Sequence, residues 1–135
     1  MPYANNNGVK IHYEVEGKGQ PLMLVHGRGG SMEAWRRNGY VAELNRDHRL
    51  ILVDVRGHGA SDKPHDPSAY YSQTRVQDLV CILDDLNIAR ADYLGYSMGG
   101  AMGFDVLIHV PQRFSRMMLG GAAYTNAGTS KNGQI

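Results

Sequence analysis

Apolar residues recur along the chain with two different periods, and these periods predict strands and helices. After an early Asn-Gly turn signal, apolar residues over 9–15 alternate with polar ones. This alternation predicts an antiparallel strand with one solvent-facing side, on which His12 lies. Continuous apolar runs at 22–25 and 50–53 predict strands buried on both faces, as in a parallel sheet covered by helices.

The rest of the pattern places helices between further strands. Apolar residues over 76–86 recur at helical spacing, and residues 98–110 form a second predicted helix that ends before Pro111. Short apolar stretches at 91–94 and 117–119 predict two more strands. Because strands and helices alternate, the sequence predicts an α/β fold with a mostly parallel sheet.

Composition narrows the class of protein. The 135 residues suffice for one domain, and the net charge of +1, with no basic run, gives no reason to expect binding to nucleic acid or to an anionic membrane. Cys81 is the single cysteine, which excludes an intrachain disulfide. The first residues lack the features of a secretory signal, and no apolar run approaches the roughly 20 residues of a membrane span. We therefore expect a cytoplasmic protein and, since the six histidines show no metal-ligand spacing, one without metal or cofactor.

One segment carries the pattern of a catalytic nucleophile. Gly95-Tyr96-Ser97-Met98-Gly99 fits G-x-S-x-G and lies between a predicted strand and a predicted helix. A sharp turn there lifts the serine hydroxyl above the sheet edge and needs small neighbours. It also places Ser97 at the free N–H groups and the positive dipole end of the helix. The alternative is a tight turn that happens to contain a serine.

Two further glycine-rich segments directly follow the buried strands. His26–Gly30, with the sequence His-Gly-Arg-Gly-Gly, follows the run at 22–25, where a turn can aim backbone N–H groups into a site. A phosphate cradle is the alternative, although the G-K-[ST] ending of a P-loop is absent. The segment Asp54–Ser61 follows the other run, and we predict that Asp54 and Arg56 fix this loop through hydrogen bonds.

In this order and spacing, the three motifs resemble those of the α/β-hydrolase fold superfamily, above all its esterase, C–C hydrolase and cofactor-free haloperoxidase-like branch. The resemblance extends over residues 1–123 and implies a small-molecule, ester-like substrate. It implies that Ser97 is the nucleophile and that the backbone N–H groups of Arg28 and Met98 form the oxyanion hole. It also implies that His26 and Gly27 shape the oxyanion loop.

The resemblance further implies that the chain holds strands one to six of an eight-stranded sheet, with an antiparallel hairpin at its N-terminus. In the family the acid and the base of the triad follow the nucleophile along the chain. Both are expected beyond residue 135, so we expect a truncated α/β-hydrolase fold with weak or no activity alone. His26 and His58 lie nearest to the serine, but in the family the base approaches from the other side. Residues 124–135 are polar and predicted to form a loose tail.

The strand at 117–119 is expected to become the edge of this shortened sheet. An edge strand presents unpaired N–H and C=O groups, which invite pairing with another chain. We therefore predict a homodimer or larger assembly through this edge. Two alternatives to a weak hydrolase stay open: a half-domain completed by oligomerisation, and a non-catalytic binding or scaffold module.

Overall fold

The computed structural model describes residues 2–122, and its secondary structure alternates as the apolar pattern predicts. The strands are β1 (Tyr3–Asn6), β2 (Val9–Glu16), β3 (Gln20–Val25), β4 (His48–Val53), β5 (Ala91–Tyr96) and β6 (Phe114–Gly120). The α-helices are α1 (Glu33–Arg37), α2 (Tyr40–Leu44), α3 (Ser72–Asp85) and α4 (Met98–His109), and 3₁₀ turns lie at Pro67–Tyr70 and Pro111–Arg113. The predicted polar tail, residues 124–135, lies outside the described residues.

The six strands form one sheet in the order β1-β2-β4-β3-β5-β6. Strand β2 is antiparallel to both of its neighbours, β1 and β4. The pairs β4–β3, β3–β5 and β5–β6 are all parallel. The structure therefore confirms an α/β fold with a mostly parallel sheet and an N-terminal antiparallel hairpin.

The order of the strands reverses beside β3. The chain passes from β3 to β4 on one side, and after α3 it returns to β5 on the other side of β3. In open α/β sheets, ligands bind at the carboxyl ends of the strands where the order reverses in this way. The segments at this point are His26–Gly30, which follows β3, and Ser97, which follows β5. The topology therefore brings two of the three predicted motifs to one crevice.

Helices cover the sheet on both faces, which explains why β3 and β4 are continuously apolar. Alternate side chains of these strands belong to two separate cores. The first core, beneath α1 and α2, contains Leu22, Leu24, Leu50, Leu52, Trp35 and Val41. The second, beneath α3 and α4, contains Met23, Val25, Ile51, Val53, Leu79, Tyr93 and Met102 among others. Both faces of the central strands are thus removed from water, as a parallel sheet requires.

The predicted solvent-facing side of β2 is wrong at His12. Its side chain is only 2% exposed, and its Nε2 lies 3.1 Å from the Glu14 carboxylate. The ring of Tyr3, which is the register partner of His12 on β1, lies 5.3 Å from the imidazole. The segment after β4 also bonds to this strand, since the His12 N–H donates to Ser61 Oγ at 2.7 Å. Neighbours distant in sequence therefore bury a position that the local alternation assigns to solvent.

Strand β6 is the outermost strand on its side of the sheet formed by residues 2–122. Its Met117 and Leu119 pack against the core under α4, whereas Met118 is half exposed on the opposite face. The sheet edge predicted at 117–119 is therefore present in the described part of the chain. Within residues 2–122, no helix is both long enough and apolar enough to cross a membrane.

Candidate active site

Ser97 occupies a strained turn between β5 and α4. Its backbone angles are φ 56° and ψ −113°, in the positive-φ region that non-glycine residues rarely adopt. The Ser97 N–H donates to the carbonyl of Gly120 at 2.8 Å, and the Ser97 carbonyl accepts from the Ala101 N–H at 2.9 Å. Both backbone groups of the serine are thus held by neighbouring elements, which maintain the strained conformation.

Close backbone packing makes the flanking glycines necessary. A Cβ atom on Gly95 would lie 2.3 Å from the carbonyl oxygen of Gly99, and one on Gly99 would lie 2.0 Å from that of Val25. Because the clashing atoms are backbone atoms, neither position has room for a side chain. The buried hydroxyl of Tyr93 donates to the Gly99 carbonyl at 2.6 Å and anchors the first turn of α4. Burial raises the pKa of Tyr93, which keeps this donor protonated.

The segment after β3 forms a tight turn against the serine. The Gly30 N–H donates to the carbonyl of Gly27 at 3.2 Å, and Gly29 has φ +78°, as the third position of a type II turn requires. A Cβ atom on Gly27 would lie 3.3 Å from Ser97 Cβ. This turn, the predicted oxyanion loop, therefore contacts the nucleophile candidate directly.

Two backbone N–H groups remain available at the junction of these turns. Among residues 2–122, neither the Arg28 N–H nor the Met98 N–H has a protein acceptor. Arg28 lies inside the turn that contacts Ser97, and Met98 is the first residue of α4. The first N–H groups of a helix have no partner within the helix and mark its positive end. The arrangement can stabilise negative charge that develops beside Ser97.

His26 is buried and uses both ring nitrogens. Its Nδ1 lies 2.7 Å from the carbonyl of Gly27, and its Nε2 accepts from the Val55 N–H at 3.1 Å. This pattern assigns the neutral tautomer with the proton on Nδ1. Burial lowers the pKa of His26, which favours the same neutral form. The imidazole therefore links the oxyanion loop to the segment after β4.

His58 is engaged in a similar way from the neighbouring loop. Its Nε2 accepts from the Gly29 N–H at 3.0 Å, and its Nδ1 lies 3.2 Å from the carbonyl of Arg56. The rings of His58 and His26 meet edge to face at 5.1 Å. From the sequence, His58 was a remote candidate for the base. The structure instead places it under the oxyanion loop, a role that the G-H-G pattern at 57–59 does not signal.

The loop after β4 is fixed by side-chain hydrogen bonds, which confirms the predicted role of Asp54 and Arg56. The Asp54 carboxylate accepts from the N–H groups of Met32 at 2.9 Å and Ala60 at 3.0 Å. The Arg56 guanidinium donates to both carboxylate oxygens of Asp78, at 2.9 and 2.8 Å. Both side chains of this ion pair are at most 4% exposed. The loop is therefore anchored to α3 as well as to the segment before α1.

Other acidic and basic side chains among residues 2–122 serve elsewhere. Asp105 lies eight residues along α4, about 12 Å from Ser97 on the helix axis, and is 1% exposed. Burial raises its pKa to about 6, although the nearby Arg75 and His109 favour its charged form. His109 lies at the far end of the same helix, about 18 Å away along the axis. His48 is paired with Asp47, and His65 is exposed.

A cavity of about 540 Å³ opens beside the turn on the side of α1 and α2. Its lining combines backbone of the site with aromatic and aliphatic side chains: His26, Gly27, Ala34, Trp35, Asn38, Tyr40, Leu94, Gly95, Tyr96 and Gly120. Tyr96, directly before the serine, is 59% exposed. The cavity therefore offers space for an apolar group beside Gly27, Gly95 and Tyr96, which flank Ser97, although Ser97 itself does not line it. Within residues 2–122, no three His, Cys, Asp or Glu side chains converge on a point that would hold a metal ion.

The chain matches a known family and several of its members. A family model described as the alpha/beta hydrolase fold matches residues 20–133. The chain is 36% identical over 117 residues to 2-hydroxymuconate semialdehyde hydrolase from Pseudomonas sp. (strain CF600), an alignment that covers 86% of this chain and 41% of that protein. It is 36% identical over 116 residues to 2-hydroxy-6-oxo-2,4-heptadienoate hydrolase from Pseudomonas putida, covering 85% and 42% respectively. A solved hydrolase structure from Pseudomonas aeruginosa matches with a TM-score of 0.83 at 31% identity, over 94% of this chain and 48% of that one.

The alignments cover most of this chain but less than half of each curated relative. The chain spans 41–42% of the length of these two curated relatives. The region matched by the family model nevertheless includes all three glycine-rich turns and four of the six strands, β1 and β2 being outside it. With the sheet order and helical layers described above, these matches show that the chain belongs to the α/β hydrolase fold family.

Proposed function

We propose that the chain carries the nucleophile and oxyanion-hole part of a serine hydrolase site. The observation that supports this most strongly is the backbone of Ser97, which adopts φ 56° between a strand and a helix. Such strain persists only where surrounding structure enforces it, and it is concentrated at functional sites. Here the enforcing contacts are the backbone packing at Gly95 and Gly99. In this proposal the Ser97 hydroxyl attacks the carbonyl carbon of an ester-like substrate.

The oxyanion hole in this proposal consists of the N–H groups of Arg28 and Met98. The Ser97 oxygen forms a bond to the carbonyl carbon of the substrate. Both electrons of the C=O π bond move to the carbonyl oxygen, which becomes the oxyanion of a tetrahedral intermediate. Preorganised N–H donors stabilise such an oxyanion, and loss of one donor costs about 10²- to 10³-fold in rate. The absence of protein acceptors for these two groups within residues 2–122 leaves them available for this role.

The proton of the serine hydroxyl needs a base, and the histidines beside the turn do not supply one. Both ring nitrogens of His26 and of His58 contact backbone groups. In a serine protease, loss of the triad lowers kcat by about 10⁶-fold, and about 10³- to 10⁴-fold over water survives. We therefore expect slow acylation of Ser97, first by carboxylic esters with good leaving groups. The compounds in the names of the two curated relatives are the next candidate substrates to test.

The test is covalent labelling of the folded chain with a fluorophosphonate, followed by mass spectrometry. We expect one adduct on Ser97, absent from Ser97→Ala and retained in Ser68→Ala, which alters an exposed serine in the 3₁₀ turn before α3. Turnover of p-nitrophenyl acetate by the same three proteins provides the second readout. Equal turnover by Ser97→Ala and the unaltered chain would refute Ser97 chemistry. A folded chain without any adduct would favour a non-catalytic binding or scaffold module.

A second candidate is a site that becomes complete only when another element brings a histidine to Ser97. The engagement of both His26 and His58 by backbone groups favours this candidate. If a second copy supplies the base, the rate of ester hydrolysis should rise more steeply than the first power of the protein concentration. A strictly linear dependence would exclude completion by a second copy.

A further inference from the structure

Two imidazoles, those of His26 and His58, link the oxyanion loop to the segment after β4, and the bond made by His58 is one that protonation can break. The Gly29 N–H donates to His58 Nε2 at 3.0 Å. Among residues 2–122 this N–H has no other acceptor, and the turn bond to the Gly27 carbonyl is made by a different donor, the Gly30 N–H. The bond therefore fixes the peptide group that follows Arg28, whose own N–H is one of the two proposed oxyanion donors.

The other contacts of His58 fix its tautomer. Its Nδ1 faces the carbonyl of Arg56 at 3.2 Å, so the ring proton lies on Nδ1 and the lone pair of Nε2 points at Gly29. A second proton can enter only at Nε2. Protonated Nε2 is a donor, and it would then face another donor, the Gly29 N–H. Protonation therefore replaces an attractive contact with a repulsive one.

The surroundings of His58 contain few groups that would offset this change. The His26 ring lies 5.1 Å away and is held neutral by its own two backbone contacts. The Asp54 carboxylate is engaged by the N–H groups of Met32 and Ala60, and the Arg56 guanidinium is engaged by Asp78. The Lys63 ammonium donates to the carbonyls of Gly59 and Ser61 in this loop, the Asp62 carboxylate accepts from the Lys10 N–H, and the Arg28 side chain is exposed. Histidine is the side chain that ordinarily changes its charge between pH 5 and 8.

We propose that His58 is a positioning residue whose neutral imidazole holds Gly29, and through it the Arg28 N–H, in the geometry that receives the oxyanion. Protonation of His58 releases the oxyanion loop and lowers the reactivity of Ser97 at acidic pH. This inference rests on the proposed function for its catalytic consequence, but the tie between His58 and Gly29 is independent of it.

The tie itself is tested by NMR titration of the full chain between pH 5 and 8. We expect the Gly29 amide proton to shift with the same midpoint as the His58 ring nitrogens, and its exchange with solvent to accelerate at low pH beyond the intrinsic rate. His65→Gln, which alters an exposed histidine seven residues further on, should leave that titration unchanged. A Gly29 amide that does not respond while the His58 ring titrates would overturn the proposal.

The catalytic consequence is tested by the rate of Ser97 labelling in two variants. His58→Gln keeps an acceptor oxygen without a titrating ring, so we expect a rate within about threefold of the unaltered chain at pH 8 and a smaller loss between pH 8 and 5.5. His58→Leu removes the acceptor, and we expect a rate about 10- to 100-fold lower at every pH, below or near the effect of losing a whole donor. His65→Gln should follow the unaltered chain.

These arms separate the two proposals. Identical pH profiles for His58→Gln and the unaltered chain would overturn the positioning role, even if His58→Leu fails to fold. If Ser97 is not labelled in any variant while Gly29 still titrates with His58, the proposed hydrolase function fails and the structural tie stands.

Discussion

Two turns at the same end of the sheet are held by opposite means. The turn at Ser97 depends on positions that have no side chain. Gly95 and Gly99 allow backbone to approach backbone, and Tyr93 adds one hydrogen bond. The loop after β4 depends on side chains that are present. Asp54 accepts from two N–H groups there, and Arg56 is paired with a buried carboxylate of α3.

The difference indicates how each turn responds to change. Steric closeness holds a single strained residue in place, and the Tyr93 hydroxyl that bonds to this turn stays protonated, so the serine turn is sensitive above all to added volume. Hydrogen bonds tolerate small shifts in position but depend on the charge and the donor pattern of each partner. The oxyanion loop lies between the two and contacts both, through Gly27 to Ser97 and through Gly29 to His58. We therefore expect the oxyanion loop to respond both to added volume at the serine turn and to changes in the hydrogen bonds of the loop after β4.

The largest expected effect comes from adding volume to the serine turn. Gly99→Ala places a methyl group 2.0 Å from the backbone oxygen of Val25, and we expect a loss of about 3 kcal/mol or more in the free energy of unfolding, because overpacking against backbone forces strands to shift. Urea denaturation measures it. Gly39→Ala is the matched control, since φ is +85° there but no atom lies within 4 Å, and left-handed strain alone costs about 1–2 kcal/mol. Equal losses would show that packing does not distinguish the serine turn.

A polar change in the other turn should cost less. Asp54→Asn turns one of two acceptor oxygens into a donor that faces a buried N–H, and we expect a loss of about 2 kcal/mol in the free energy of unfolding. Asp62→Asn is the control, since Asp62 accepts from the Lys10 N–H in an exposed position, and we expect a change within about 0.5 kcal/mol. If both variants unfold at the same denaturant concentration, the buried bonds of Asp54 do not hold the loop.

A buried carboxyl on α4 gives the serine side its own pH dependence of stability. Burial raises the pKa of Asp105 to about 6, so the folded state binds a proton more tightly than the unfolded state does. The contribution of Asp105 to the free energy of unfolding is therefore largest at acidic pH and is lost as pH rises through about 6. A shift of this size corresponds to about 1.4 kcal/mol between pH 5 and pH 8.

Asp105→Asn should remove this slope, and denaturation at several pH values measures it. The exposed Asp62→Asn should keep the slope of the unaltered chain. If the free energy of unfolding of Asp105→Asn still changes with pH in the same way, then groups other than Asp105 cause the pH dependence.

The smallest expected effect concerns self-association through the sheet edge that lies beside the serine turn. The serine turn joins β5 to α4 beside the outermost strand β6, whereas the loop after β4 leaves an interior strand. The predicted self-association through β6 should weaken in Met118→Lys by about 1 kcal/mol, because an exposed apolar side chain is replaced by a charge. Tyr71→Lys, at an exposed position before α3, should associate like the unaltered chain. A clean monomer by light scattering at tens of micromolar would contradict the prediction of a homodimer.

Much of the fold was predictable because it depends on local pattern. The continuous runs within β3 and β4 indicate strands covered on both faces, and the structure confirms two cores on opposite sides of them. Strand ends were less predictable: β6 extends over Phe114–Gly120, beyond the predicted residues 117–119. The burial of His12 was not predictable, because Tyr3 and the loop after β4 cover a position whose own neighbours in sequence are polar.

For the candidate site, the sequence by itself determined which segments form the glycine-rich turns around Ser97. The glycines at 95 and 99 are required by close backbone approach, which no other residue type permits, so their spacing around Ser97 is readable in one dimension. Tertiary structure alone decided how these segments meet. The reversal of strand order beside β3 brings His26–Gly30 against Ser97, and it turns His58 from a possible base into the acceptor for Gly29. The physical reason is that a hydrogen bond depends on the position and orientation of two groups, and only the folded chain fixes these for partners 29 residues apart.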